Sequence, residues 1–230
     1  MRVALRRLPA ETALKHPFHQ AEFLTTAASW HQLPMGDAPE VAFAGRSNAG
    51  KSSAINALAQ RSRLAYVSRT PGRTQHINFF RAPSRILLAD LPGYGYASVP
   101  EKIRRHWEAF LARYLSERAA LVGLVLVMDA RHPLTTLDRQ LLSWFLPSGR
   151  PVLILLAKAD KLTASEQRRT LQDSRRAIAR DYAAGWIELQ LFSATKQIGL
   201  REAEAVLSRW LAPPPADGGA EKERPRHQGE

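Results

Sequence analysis

The chain has no cysteine. That removes disulfides, thiol catalysis and cysteine-ligated zinc, and leaves any metal to oxygen or imidazole ligands. Long apolar runs are also missing. The strongest, Leu121 to Met128 and Val152 to Ala157, fall far short of the roughly 20 residues that a membrane-spanning helix needs. The basic segment Met1 to Leu8 is not followed by the apolar block of a secretory signal, so the expected location is cytoplasmic. The most pointed absence is local. Between Glu40 and Asp90 there is no acidic residue, while Arg46, Lys51, Arg61, Arg63, Arg69, Arg73, Arg81 and Arg85 all fall there, in a chain of net charge +12. Such clustering is the footprint expected of a polyanionic partner, although a charge run is also what a plain solvated face looks like.

The 230 residues favour one domain with appendages. Short apolar runs alternate with longer amphipathic stretches, which predicts an α/β fold with a mostly parallel sheet and helices on both faces. Strands are expected at about 40–45, 77–82, 85–90, 121–129, 151–157 and 187–192. Helices are expected at about 51–60, 101–117, 136–146, 164–182 and 199–211, with a further short one near 18–29. The turn at Ala82-Pro83-Ser84 is too short for a parallel crossover, so the second and third strands form a hairpin and the six-stranded sheet has one antiparallel edge strand. The expected division is an N-terminal extension over 1–38, a main domain over 39–211 and a disordered tail over 212–230, the last rich in Pro, Gly and charge.

The stretch GRSNAGKSS runs from Gly45 through Arg46, Ser47, Asn48, Ala49, Gly50 and Lys51 to Ser52 and Ser53, between an apolar strand and a helix. It matches the phosphate-binding loop, whose glycines let backbone N–H groups converge on one anion at a helix N-terminus. Lys51 would reach the β and γ phosphates, and the Ser52 hydroxyl would sit on a magnesium ion. A second element, Asp90-Leu91-Pro92-Gly93, closes a strand. An Asp there can anchor the magnesium shell through water, and the Gly93 N–H can sense a γ-phosphate. A third, Ala157-Lys158-Ala159-Asp160, follows a buried run; the Asp160 carboxylate can accept from guanine N1–H and the 2-amino group, which adenine does not offer. A fourth, Phe192-Ser193-Ala194, ends the last strand, where a backbone N–H can meet guanine O6. Each lies at the carboxyl end of a strand, where open α/β sheets bind ligands. A metabolite phosphotransferase shares the same loop, but the chain shows no lid segment and places Lys158 and Asp160 where a guanine reader belongs. A cell-division scaffold that binds nucleotide only for stability is a third reading.

With RTPGRTQHINFF at 69, DLPGYGYA at 90, AKADKL at 157 and FSATKQIG at 192 beside the loop, the chain resembles the EngB family of bacterial GTPases (also called YsxC or YihA), in the TrmE-Era-EngA-EngB-septin-like class, over about residues 18–211. The resemblance implies a Ras-like fold, GTP and magnesium binding, and slow GTP hydrolysis. It also implies a role in assembling the large ribosomal subunit, with its RNA and proteins as partners, and in cell division and septation. No feature points to sequence-specific DNA binding, and a monomer is expected. It further places Gly72, Arg73, Thr74, Gln75 and His76 in the first switch loop beside the nucleotide. Thr74 and Ser52 would then be the two protein oxygens on magnesium, and Lys51 and Thr74 the catalytic contributors.

The chain also departs from the family pattern. Ala157 stands where the family has threonine and most GTPases asparagine, which removes a side chain that ties the base loop to the phosphate loop. Tyr94 stands where Ras-type enzymes carry the glutamine that orients water, and it reads as an aromatic packed under the second switch. By analogy with related GTPases, Asn48 would help hold a potassium ion that neutralises charge between the β and γ phosphates. Arg73 is read as contacting RNA rather than as catalytic. The magnesium role of Thr74 makes a sharp prediction: Thr74→Ala weakens GTP binding far more than GDP binding in a calorimetric titration, and equal losses for the two nucleotides remove the assignment.

Overall fold

A computed structural model describes residues 16–65, 76–94, 101–182 and 186–212, with the side chains of the helix starting at residue 101 described from Trp107 onward. Expectations placed on Gly72, Arg73, Thr74 and Gln75, and on residues 213–230, lie outside the described residues. In chain order the elements are β1 (Glu22–Ala27), β2 (Glu40–Gly45), α1 (Lys51–Leu58), β3 (Ile77–Arg81), β4 (Leu87–Asp90), α2 (Glu101–Glu117), β5 (Leu121–Asp129), α3 (Thr136–Phe145), β6 (Val152–Ala157), α4 (Ala164–Asp181), β7 (Ile187–Leu191) and α5 (Leu200–Leu211). They build one sheet in the order β1-β3-β4-β2-β5-β6-β7.

Strands β2 and β6 are buried along their whole length, as strands covered on both faces must be. Their alternating side chains sort into two cores. Ala42, Leu124, Leu126, Ile154 and Leu156 meet Tyr114 and Leu115 of α2, Leu142 and Phe145 of α3 and Ile178 of α4. On the other face Val41, Phe43, Val125, Val127, Leu153 and Leu155 meet Ile55 and Leu58 of α1 and Val206 and Leu207 of α5. The period of two in the strands thus decides which helix covers which face. Helices α3 and α4 start where capping boxes fix them, Thr135 with Asp138 and Thr163 with Glu166.

One expectation is overturned. The segment near 18–29 is not a helix: residues 22–27 form β1, antiparallel to β3, so the sheet has seven strands rather than six and its antiparallel part is an edge pair. The reason is cooperative. Phe23, Thr25 and Thr26 suit a pleated surface, the Phe23 and Phe80 rings meet edge to face at 6.0 Å, and β3 would otherwise present a row of unpaired backbone groups. The residues expected as a separate extension therefore complete the sheet.

At the end of β2 remote from the phosphate loop, Glu40 is fully buried. The Tyr114 hydroxyl donates to its Oε2 at 2.9 Å, the Arg118 Nε donates to both carboxylate oxygens at 3.1 Å, and the Arg118 Nη2 also donates to the Pro34 carbonyl at 2.7 Å. This cluster ties the segment before β2 to the end of α2. Breaking one partner of a buried pair strands the other charge. Arg118→Met is expected to cost about 3–5 kcal/mol and Tyr114→Phe about 1–3 kcal/mol, read from urea unfolding; a loss under about 1 kcal/mol for Arg118→Met would show that Glu40 finds another partner.

Candidate functional site

The parallel strands β4, β2, β5 and β6 end together, and the loops leaving them carry the motif residues. After Gly45 the chain turns sharply, with Asn48 at φ 60° and Gly50 at φ 109°, before α1 begins at Lys51. Two glycines are obligatory here for different reasons. A Cβ at position 45 would meet the Val127 carbonyl oxygen at 2.5 Å, and position 50 combines a left-handed backbone with a Cβ contact of 3.3 Å to Ala157. The resulting loop stands at the head of α1, where N–H groups and the helix dipole favour an anion.

The second motif lies against this loop. Leu91 N–H donates to the Phe43 carbonyl at 2.9 Å and Ser47 N–H donates to the Tyr94 carbonyl at 3.1 Å, so the chain after β4 continues alongside the loop. Lys51 Nζ pairs with Asp90 Oδ1, and both side chains are nearly buried. Asp90 therefore reaches the first turn of α1, which also carries Ser52. A hydroxyl and a carboxylate are hard oxygen donors, so this corner fits a magnesium ion whose remaining ligands are phosphate oxygens and water. Among the described residues no group of three or more His, Asp or Glu is arranged to hold a metal by itself. His76 is exposed just before β3.

The third and fourth motifs also interlock. Ala159 N–H donates to the Phe192 carbonyl at 3.1 Å, and the Ser193 hydroxyl donates to Asp160 Oδ1 at 2.6 Å. That hydrogen bond, with Lys161 and Lys196 nearby, holds the Asp160 carboxyl below the usual carboxylate range against a partial burial cost. The third motif reaches the first through Lys158, whose Nζ donates to the Asn48 carbonyl. Ala194 follows Ser193 in a half-buried position. The structure thus brings together the described residues of all four motifs, each contacting at least one other.

Tyr94 is packed as the sequence suggested. It lies against the core beneath α3, and its hydroxyl donates to Asp138 Oδ1 at 2.6 Å, while Asp138 Oδ2 accepts from the Thr135 N–H and hydroxyl. Burial first, then the neighbouring Asp138, push the Tyr94 phenol above its usual range, which keeps it a donor. Two residues escaped the sequence reading. Asp138 was legible only as an N-terminal helix signal three residues after Thr135. Asp129 closes β5 at the same sheet edge as Asp90, and that shared position at a strand end was the available signal. Burial opposes ionisation of Asp129, but Arg131 and Lys158 hold it well below the usual carboxylate range.

The Ser193 hydrogen bond carries a pH consequence. A depressed pKa in the folded state adds stability above the unfolded value of about 3.9, and that increment is lost as pH falls through the lower folded value. Ser193→Ala is expected to raise the Asp160 pKa toward 3.9, seen as an upward shift in its carboxyl NMR titration and an earlier onset of acid unfolding below about pH 4. An unmoved titration would mean that Ser193 is not the dominant cause.

Comparison with known proteins agrees with this geometry. Residues 40–158 match the family model described as "50S ribosome-binding GTPase". The chain is 55% identical over 201 residues to the probable GTP-binding protein EngB of Aromatoleum aromaticum, covering 87% of this chain and 92% of that one. It is 54% identical over 199 residues to the corresponding Thiobacillus denitrificans protein, covering 86% and 95%. In fold it resembles the crystal structure of a probable GTP-binding protein engB, with TM-score 0.59 and 17% identity over 75% of this chain and 98% of that one. It also resembles Era crystallised with MgGDPNP and a segment of 16S ribosomal RNA, with TM-score 0.58 and 19% identity over 76% and 57%. Identity above one half across most of both chains, with the phosphate loop and its three partner motifs in contact at one sheet edge, places the chain in the EngB family of GTP-hydrolysing, GTP-binding proteins.

Proposed function

We propose that the protein is a magnesium-dependent GTP switch that acts on the large ribosomal subunit during its assembly, and that normal cell division and septation depend on it. The observation that carries the switch reading is the contact between Asp90, Lys51 and the phosphate loop, with Gly93 and Tyr94 laid along Arg46 and Ser47. A γ-phosphate added at this corner would meet the loop that leads into α2, which is how such switches couple hydrolysis to shape.

Residue roles follow from chemistry. The N–H groups of residues 45–52 and the Lys51 ammonium suit the β and γ phosphates. Asp160, held by Ser193 beside Phe192 and Ala194, suits the guanine edge, because adenine would leave its charge unpaired. Ser52 and Thr74 would hold magnesium directly and Asp90 through water, with Leu91 and Pro92 setting the position of Gly93. Bound magnesium would neutralise charge on the β and γ phosphate oxygens. Tyr94 is committed to Asp138, so it is a poor candidate for orienting water. A potassium ion beside Asn48, which is exposed at the turn of the loop, would supply the missing charge.

The ribosomal reading is supported by the description of the matching family model and by the acid-free, arginine-rich stretch between Glu40 and Asp90. The described arginines of that stretch occupy both ends of the sheet. Arg46 is exposed beside the phosphate loop, while Arg81 and Arg85 are exposed on the β3 to β4 hairpin at the opposite end. Contacts to RNA phosphates through such side chains fall steeply with salt.

Sedimentation with purified large subunits, in GDP and in a non-hydrolysable GTP analogue and at two salt concentrations, tests both halves of the proposal. Binding is expected to favour the GTP analogue and to drop at least tenfold between about 50 and 200 mM salt. Binding indifferent to both nucleotide and salt would reject the ribosomal switch, and in the same preparation equal GTP hydrolysis in sodium and potassium would reject the Asn48 role.

A further inference from the structure

Ala157 removes the side chain that would tie the base loop to the phosphate loop, yet the two loops are tied in this structure. The link is Lys158. Its backbone is left-handed at φ 60°. Its Nζ donates both to the Asn48 carbonyl in the phosphate loop and to Asp129 Oδ2, the latter at 3.0 Å. A lysine ammonium is a point charge on a flexible four-carbon stem and does not hold one direction unaided. Asp129 gives it one. The Asp129 carboxylate is itself clamped: Oδ1 accepts from the Arg131 N–H at 3.1 Å and Nε at 2.9 Å, and Oδ2 accepts from Nη2 at 2.7 Å as well as from Lys158. The ion pair is sheltered, with 17% of the Asp129 side chain and 32% of the Lys158 side chain exposed.

We propose that Asp129 is a positioning residue for nucleotide binding: through Lys158 it locks the base loop at 157–160 to the phosphate loop at 45–52, the job that the side chain at position 157 does not do in this chain. The inference rests on the reading of these two loops as the nucleotide site. Because both loops serve the parts that GDP and GTP share, the link supports both nucleotides alike, in contrast to Thr74.

The test is a double-mutant cycle by isothermal titration with magnesium GDP and with a non-hydrolysable GTP analogue, on the full chain. It compares Asp129→Ala, Lys158→Ala and the double variant, with the isosteric Asp129→Asn in place of Asp129→Ala if the latter does not fold. Asp129→Ala is expected to weaken both nucleotides by about tenfold and to the same degree, and the double variant to bind no more than about twofold weaker than Lys158→Ala alone, because residues acting as one unit are not additive. Affinity unchanged in Asp129→Ala, or losses that multiply in the double variant, would overturn the proposal. A parent protein that shows no preference for guanine over adenine nucleotides would instead reject the assignment of the loops themselves.

Discussion

Everything at the working edge depends on the parallel register of β4, β2, β5 and β6. Phe43 lies opposite Asp90, Gly45 opposite Val127, and Asp129 opposite Ala157. Backbone hydrogen bonding therefore brings the phosphate loop, Asp90, Asp129 and the base loop to one level before any side chain acts. A slip of one residue in β2 would turn Val41 and Phe43 from the α1 and α5 core toward the other face. The apolar cores thus fix the register, and the register fixes the site. Gly45 shows how tight this is, since no Cβ fits between β2 and β5 there.

Charge is handled differently at the two ends of β2. At the far end Glu40 is sealed away from water by Tyr114 and Arg118, and its role is architectural. At the working edge each ionised group has a partner on a different loop: Lys51 with Asp90, Lys158 with Asp129, and Asp160 with the Ser193 hydroxyl. Low local dielectric makes such contacts stronger and makes an unpartnered charge costly. The same contacts therefore preorganise the loops and hold them in mutual orientation. A ligand offering phosphate oxygens to Lys51 or a base edge to Asp160 meets groups that are already placed.

The central fold was legible because its strands are short, fully apolar and bounded by turns, and because α3 and α4 announce themselves with Thr135 and Thr163 caps. Strand β1 was not. Its burial pattern has little alternation, and its reason for being a strand lies in β3, a partner distant in sequence. The phosphate loop, Asp90 and Asp160 were legible because their spacing and strand-end context carry chemistry. Asp129 was not, because a lone Asp acquires meaning only when Lys158 and Arg131 fold back on it. Local signals reveal elements and motifs, while pairings across the sheet edge become visible only in three dimensions.

The departures from the family pattern then turn out to be linked to the same edge. Tyr94 spends its hydroxyl on Asp138, whose second oxygen caps α3 through Thr135, and its carbonyl on the Ser47 N–H. A residue bound on both sides fixes the path of the chain between β4 and the second switch but has no free group for a water molecule. Ala157 gives up a side chain, and the cross-loop contact passes to Lys158. In both cases the replaced polar group is absent while the geometry it would enforce is kept by a neighbour, so the constraint on this edge is the relative position of the loops rather than the identity of any one tether. Charge neutralisation during hydrolysis is the one task that no such neighbour takes over among the described residues apart from Lys51. That is why the exposed turn at Asn48, next to the Lys158 link, is the place where a cation from solution has the most to add.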